Sequence, residues 1–267
     1  MPRDEVAQSQ RERLFGAAVA CVAEKGVEAT TVADLLELSG VSRSAFYEHF
    51  HDKDDCVLAT FEAIVAKATE AVEEGLKGDG PIERRARRMF RAQLEQVGAQ
   101  APAAKLCFCE IYEVGERGRL AVERSMDRFA AAAGEVIAEI QEGPGLPPEM
   151  VRAILGGIHA VVQHSFRHQA EESLADLADD LFKWALGYEA PSAPLRLARR
   201  RSRPPDGQMS PIAAYSQAER IIRALAAGAG ERGYPAVTIA EIAARASVSQ
   251  ATFYSYFPDK ESALLAA

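Results

Sequence analysis

An all-α fold is what this sequence predicts, and three observations carry the prediction. Ala, Leu, Glu and Arg dominate a chain of 267 residues in which aromatics reach only 7%. These are strong helix formers, and alternating Val/Ile/Thr-rich runs are missing. Near each end stands a segment with apolar residues at helical spacing and a capping-box signature. Between the two, Gly and Pro clusters cut the chain into pieces of helix length.

The bulk numbers bound the class. With 48% hydrophobic and 26% charged residues, the chain has room for two or three globular domains. No uncharged apolar run approaches a membrane span, and the start, MPRDEVAQSQRERL, is too polar for a signal peptide. The four cysteines (Cys21, Cys56, Cys107, Cys109) give neither a disulfide framework nor a C-x-x-C metal pair. A reduced, cytoplasmic protein without a membrane partner is expected. The net charge of −8 is unevenly spread: −3 over residues 1–53, −9 over 54–190, +4 over 191–211 and zero over 212–267. Total charge governs solubility and non-specific attraction; it does not decide whether a shaped surface docks in a groove.

The strongest single feature is an internal repeat. Residues 26–53 read GVEATTVADLLELSGVSRSAFYEHFHDK, and residues 233–260 read GYPAVTIAEIAARASVSQATFYSYFPDK. At an offset of 207 they align without a gap, with 11 of 28 positions identical. Taken in order, each unit is a helix, a short helix, a tight turn and a third helix. Leu14, Ala18, Cys21 and Val22 make the apolar stripe of the first helix, and Gly26 stands where its end can turn left-handed. Thr31 with Asp34 opens the second helix as a capping box, and Thr238 with Glu241 repeats it. Val32, Leu35 and Leu36 face inward. Ser39-Gly40-Val41-Ser42 forms the turn, with Ser42 as N-cap of the third helix. Phe46 and Phe50, four apart, anchor that helix. Arg43, Ser44 and Tyr47 are left facing outward, the geometry of a helix that enters a major groove.

A capped TVADLLELSG helix followed by a turn and SRSAFYEHFHDKD resembles the tetracycline-repressor-type (TetR/AcrR) regulators, over residues 10–60 and again over 217–267. The resemblance implies an N-terminal helix-turn-helix domain (1–53), a helical effector-binding and dimerisation domain (54–189) and a second helix-turn-helix unit (212–267). It implies double-stranded DNA as partner and no catalytic activity. Thr31, Tyr47, His49 and Lys53 would touch phosphate, and Arg43, Ser44 and Ala45 would lie against base edges beside the capping Ser42. Arg suits guanine, and Ala can touch only a thymine methyl. In the second copy Gln250, Ala251 and Thr252 stand for the base-facing three, and Gln suits adenine. Thr238, Tyr254, Tyr256 and Lys260 repeat the backbone positions. The chain stops partway through the helix after this second head, which leaves open a truncated tandem protein or a head without a companion domain.

The middle breaks at Gly78–Pro81, Ala99–Pro102, Gly115–Gly118 and Gly143–Pro148. Helices are predicted over about 54–77, 82–98, 103–114, 117–142, 148–172 and 174–188, as an α-bundle. By resemblance it encloses an effector cavity, and its last two helices (about 148–188) form a homodimer. Two heads roughly 34–36 Å apart would then read a pseudo-palindrome. Bulky, soft residues are the cavity candidates: Phe61, Met89, Phe90, Cys107, Phe108, Ile111, Tyr112, Met126 and Phe129. As a set they point to a small hydrophobic effector.

Other patterns carry less. His159, His164 and His168 share one helix but lack a carboxylate in a metal-binding pattern, so no metal or cofactor is expected. Cys107 and Cys109 point about 200° apart on a helix, which suits packing better than thiol sensing. The arginine run 84–91 reads as a solvated face, and no nucleophile–base pair or phosphate loop occurs. Residues 190–211, APSAPLRLARRRSRPPDGQMSP, read as a tether, or as a basic arm along phosphates. The whole reads as a ligand-responsive DNA-binding regulator, a repressor by family habit. The rival is an adaptor or small-molecule-binding protein whose heads no longer touch DNA.

Overall fold

In the computed structural model, which describes residues 3–190 and 217–266, every regular element is helical. The described residues fall into two compact units, one before and one after the expected tether. Tether residues 191–211, with their five arginines, lie outside the described residues.

The first unit opens with α1 (Arg3–Ala29), kinked at Gly26, whose φ of 80° and ψ of 166° only glycine adopts readily. Gly26 therefore ends the straight part of the helix at positive φ, as expected, with an extended ψ in place of a helical one. Then come α2 (Val32–Ser39) and α3 (Arg43–His49). The capping box forms as the sequence suggests: Thr31 Oγ1 accepts from the Asp34 amide, and the Asp34 carboxylate accepts from the Thr31 amide at 2.7 Å. Gly40 closes α2 in the left-handed region. Ser42 caps α3 by accepting from the Ala45 amide at 3.2 Å.

The bundle follows as α4 (Lys53–Gly75), α5 (Ile82–Ala99), α6 (Ala101–Phe108), a 3₁₀ segment (Glu110–Val114), α7 (Glu116–Gln141), α8 (Pro148–Arg167), a 3₁₀ turn (Glu171–Ser173) and α9 (Leu174–Leu186). Helix α4 serves two cores at once. Cys56 joins Leu14, Leu35, Phe46 and Phe50 beneath α3. Its neighbour Val57 joins Val22, Val27, Leu106 and Ile111 in the bundle. A boundary drawn at residue 53 thus runs through continuous packing, and any tilt of α4 is felt beneath α3.

The second unit repeats the head with α10 (Gln217–Arg232), a 3₁₀ turn (Tyr234–Ala236), α11 (Ile239–Ala246), α12 (Gln250–Tyr256) and α13 (Lys260–Leu265). Thr238 and Glu241 form the second capping box, and Ser249 and Asp259 cap the last two helices. Its core is Ile221, Leu225, Val237, Ile242, Phe253 and Phe257. Where the first head has Gly40, this one has Ser247 in the left-handed region at φ 54°, a strained choice for a residue with a Cβ.

Candidate nucleic-acid interface and effector cavity

Helix α3 is held from below and free above. Phe46 is fully buried, and Phe50 packs at 5.6 Å from it and 6.2 Å from Phe15 of α1. With these anchors fixed, Arg43, Ser44 and Tyr47 stand exposed, Tyr47 edge-on to Phe46 at 5.3 Å. Thr31 and Ser42 are also exposed, their hydroxyl oxygens already capping helices. His49 is half-buried, 3.3 Å from the Gln10 side-chain oxygen. Ala45 corrects the expectation. It is 9% exposed and packs in the head's core, so its methyl is turned away from the outward face. The helical period alone could have shown this, since Ala45 precedes the buried Phe46 and follows Val41 by four.

Lys53 is the larger surprise. Its ammonium donates to Val27 O at 2.6 Å and Glu28 O at 3.0 Å, closing the end of α1 onto the start of α4. Lys260 does the same in the second unit, donating to Tyr234 O and Val237 O at 2.9 Å each and lying 4.2 Å from the Tyr234 ring centre. Two of its three N–H groups are thus engaged inside the protein in each case. From the other side, Glu110 accepts from the Val27 amide at 3.2 Å, so this peptide is gripped by both head and bundle. Replacing Lys53 with Met, which keeps the stem, should lower stability by about 1–2 kcal/mol, measured as a lower melting midpoint. An unchanged midpoint would show these bonds to be energetically idle.

Helix α7 reaches the head through Arg117, which pairs with Asp55 at the first turn of α4. Asp55 also takes a hydrogen bond from His51 in the turn after α3. Together His51 and Arg117 hold its carboxyl down at about 2. In the second head, Gln250, Ala251, Tyr254 and Tyr256 are exposed. Thr252 is half-buried with its hydroxyl 2.8 Å from that of Ser249, and Thr238 is exposed in its capping box.

Inside the bundle lies a cavity of about 1090 Å³, at the upper end of small-molecule sites. Seven of the nine residues singled out line it: Phe61, Met89, Phe90, Cys107, Phe108, Met126 and Phe129. Ile111 and Tyr112 do not. Ile111 is fully buried in the core beside α4, because the 3₁₀ segment turns it away from the helix face that Cys107 and Phe108 share. Tyr112 acts indirectly, its hydroxyl 3.0 Å from Nε2 of His159, which does line the cavity. Burial lowers the His159 pKa and raises that of Tyr112, which favours the neutral form of both partners in this hydrogen bond. Burial likewise pushes the Cys107 thiol up to about 12, and it stays a neutral packing group. The lining's charged residues are Glu12 and Lys67, set among apolar side chains of α4, α5, α7 and α8. Sequence reading missed the α8 wall (Ile154, Leu155, Ile158, His159), whose aliphatic pattern looks like ordinary core. His164 and His168 are exposed, their rings tilted against each other at 4.2 Å, and neither lines the cavity as His159 does. Among the described residues no three metal-binding side chains converge, and no helix is long and apolar enough to cross a membrane.

Comparison with known proteins bears on both heads. The family model for bacterial regulatory proteins of the tetR family matches residues 14–60 and 221–267. The chain is 37% identical over 76 residues to the HTH-type transcriptional regulator TtgR of Pseudomonas putida, covering 26% of this chain and 36% of that one. It is 41% identical over 71 residues to the HTH-type transcriptional repressor AcnR of Corynebacterium glutamicum, covering 27% and 37%. The chain thus spans little more than a third of the length of either relative. In fold, the fatty acid degradation regulator FadR of Bacillus halodurans superimposes with a TM-score of 0.60 at 18% identity, over 67% of this chain and 95% of that one. FadR of Bacillus subtilis, solved in complex with stearoyl-CoA, gives 0.59 at 18% identity, over 66% and 97%. The helix-turn-helix region of the tetR family of bacterial regulatory proteins is thus present twice in this chain, at residues 14–60 and 221–267, each copy with the capped geometry described above.

Proposed function

We propose that the chain is an effector-responsive transcriptional regulator that binds DNA as a homodimer and is released by a hydrophobic ligand. One observation carries it: the head that exposes Arg43, Ser44 and Tyr47 shares its packing with a bundle holding a large apolar cavity. An effector alters DNA affinity only if it binds the two head arrangements unequally. Helix α4, common to both cores, is the element it would bias. The effector's class follows from the lining: a long apolar body with few polar contacts. The stearoyl-CoA bound to Bacillus subtilis FadR is an example of that class, and an acyl thioester is the first ligand to try. Dimerisation is assigned to α8 and α9, where Leu177 and Trp184 stand exposed on the latter. A repressor's role follows from the habit of relatives such as AcnR.

The test starts by selecting genomic fragments with the purified full chain and footprinting the enriched sequence. A pseudo-palindromic site is expected, bound by two chains and weakened by stearoyl-CoA. Enrichment of unrelated sequences would overturn the reading in favour of an adaptor. Within that site Arg43→Ala should cost on the order of 1–3 kcal/mol and relax preference at one position per half-site. Tyr47→Ala should weaken binding to all sequences alike, as a phosphate contact does. A selected sequence unchanged by Arg43→Ala would remove that residue from base reading.

A further inference from the structure

The wall of the cavity includes the DNA-binding head itself. Helix α1 contributes Glu12, Phe15, Gly16 and Val19 to the lining. Their spacing of three, one and three residues puts all four on one helical face. The middle pair is informative. Gly is among the poorest helix formers, yet Gly16 sits in the straight part of α1, ten residues before the kink. Helical glycines usually admit a close neighbour, and this chain has such cases. A Cβ at Gly157 would meet the Trp184 ring at 2.8 Å, and one at Gly75 would meet Met89 at 2.8 Å. At Gly16 nothing stands within 4 Å of the Cβ position. No packing requires the missing side chain; Gly16 is exposed at the open side of the cavity, whose lining it joins. The head fold does not need it either, because the matching residue of the second copy is Arg223. Beside it, Phe15 has one face in the lining and packs its ring 6.2 Å from Phe50, the C-cap of α3, with the Arg11 guanidinium over it at 5.6 Å.

We infer that Gly16 is a notch that seats the bound ligand directly against α1, and that Phe15 passes its presence to the recognition helix through Phe50. The inference rests on the effector-responsive reading above and adds where in the cavity the ligand acts. It makes Gly16 a specificity-determining position and Phe15 a positioning residue, one contact away from the helix that reads DNA. Filling the notch would shorten the space for an acyl chain at the head end. Shrinking Phe15 would leave room for the ligand but loosen its link to Phe50.

Stearoyl-CoA is the probe, used with the full chain and the selected DNA site. Gly16→Leu should raise its Kd about tenfold or more, as overfilling of a packed site does. Site affinity without the probe should stay within about threefold. Gly16→Ala, a change that favours the helix, should fall between and guards against a folding artefact. In Phe15→Leu, with its probe Kd measured separately, the ratio of probe affinities without and with DNA should fall about tenfold, so that release is weakened at equal probe saturation. Equal probe affinity in Gly16→Leu and wild type would overturn the notch. Wild-type release in Phe15→Leu would overturn the relay. Failure of the wild-type chain to bind the probe, or to release DNA when it does, overturns the acyl-effector reading and this inference together.

Discussion

Replacing Phe253 with Ala is expected to unfold the second helix-turn-helix unit while the first unit keeps its own melting transition. Phe253 is fully buried and packs against Phe257 at 6.0 Å in the core that holds α12 on α10 and α11. Truncating a buried Phe to Ala costs about 3–5 kcal/mol. The described part of this unit, residues 217–266, is 50 residues long, and about 0.05–0.15 kcal/mol per residue puts its whole stability at roughly 3–8 kcal/mol. The substitution therefore removes most of what it has. The equivalent Phe46→Ala meets a larger reserve, because its head also packs on the bundle through Val22, Val27 and Val57. Calorimetry of the full chain separates the cases. Loss of one transition in Phe253→Ala with the other unmoved is the expected result. A single transition that shifts as a whole would mean that the two units unfold together and share stability.

That contrast rests on residues whose duties were unequally visible in the sequence. The capping Thr31, Ser42 and Thr238 were legible because a cap acts over three residues, within the reach of local pattern. The buried pair Phe46 and Phe50 was legible from helical period. The second head repeated the signal, so its fold was readable even with a shorter following helix. The engagement of Lys53 was not legible. Its partners are carbonyls 26 and 25 residues upstream, and a carbonyl carries no side-chain signature. Nor did the sequence separate cavity from core: Phe108 and Ile111 belong to one apolar cluster, and only the change from α6 to a 3₁₀ segment turns one toward the cavity and the other away. Gly16 is illegible for a related reason. A glycine announces a turn when it lies between elements, but inside a helix its meaning depends on what faces it.

Deleting residues 191–267 is expected to leave a folded, DNA-binding dimer with a shorter footprint and a flatter salt dependence. The bundle and first head form one compact unit, and among the described residues its cores are built from residues up to 190. What the deletion removes is a second exposed helix face, Gln250, Ala251, Tyr254 and Tyr256, and the five arginines of 191–211. The two faces differ, with Gln250 in place of Arg43, so the second should add contacts outside the first head's half-site. The tether reading of 190–211 predicts a mean span of about 25 Å for a flexible chain of that length, which would keep the second head near DNA held by the first. Tethering of that kind can raise overall affinity by a factor of about 10²–10⁴ without a tight second head. Each phosphate neutralised contributes about 0.9 to the slope of log affinity against log salt. The arginines could therefore supply most of a change of several units, while Lys260, with two N–H groups already committed to Tyr234 and Val237, supplies little. Hydroxyl-radical footprinting and a salt titration on the full and shortened chains decide it. Equal footprints with equal slopes would make the second head a passenger in DNA binding, and its exposed tyrosines would then need another partner.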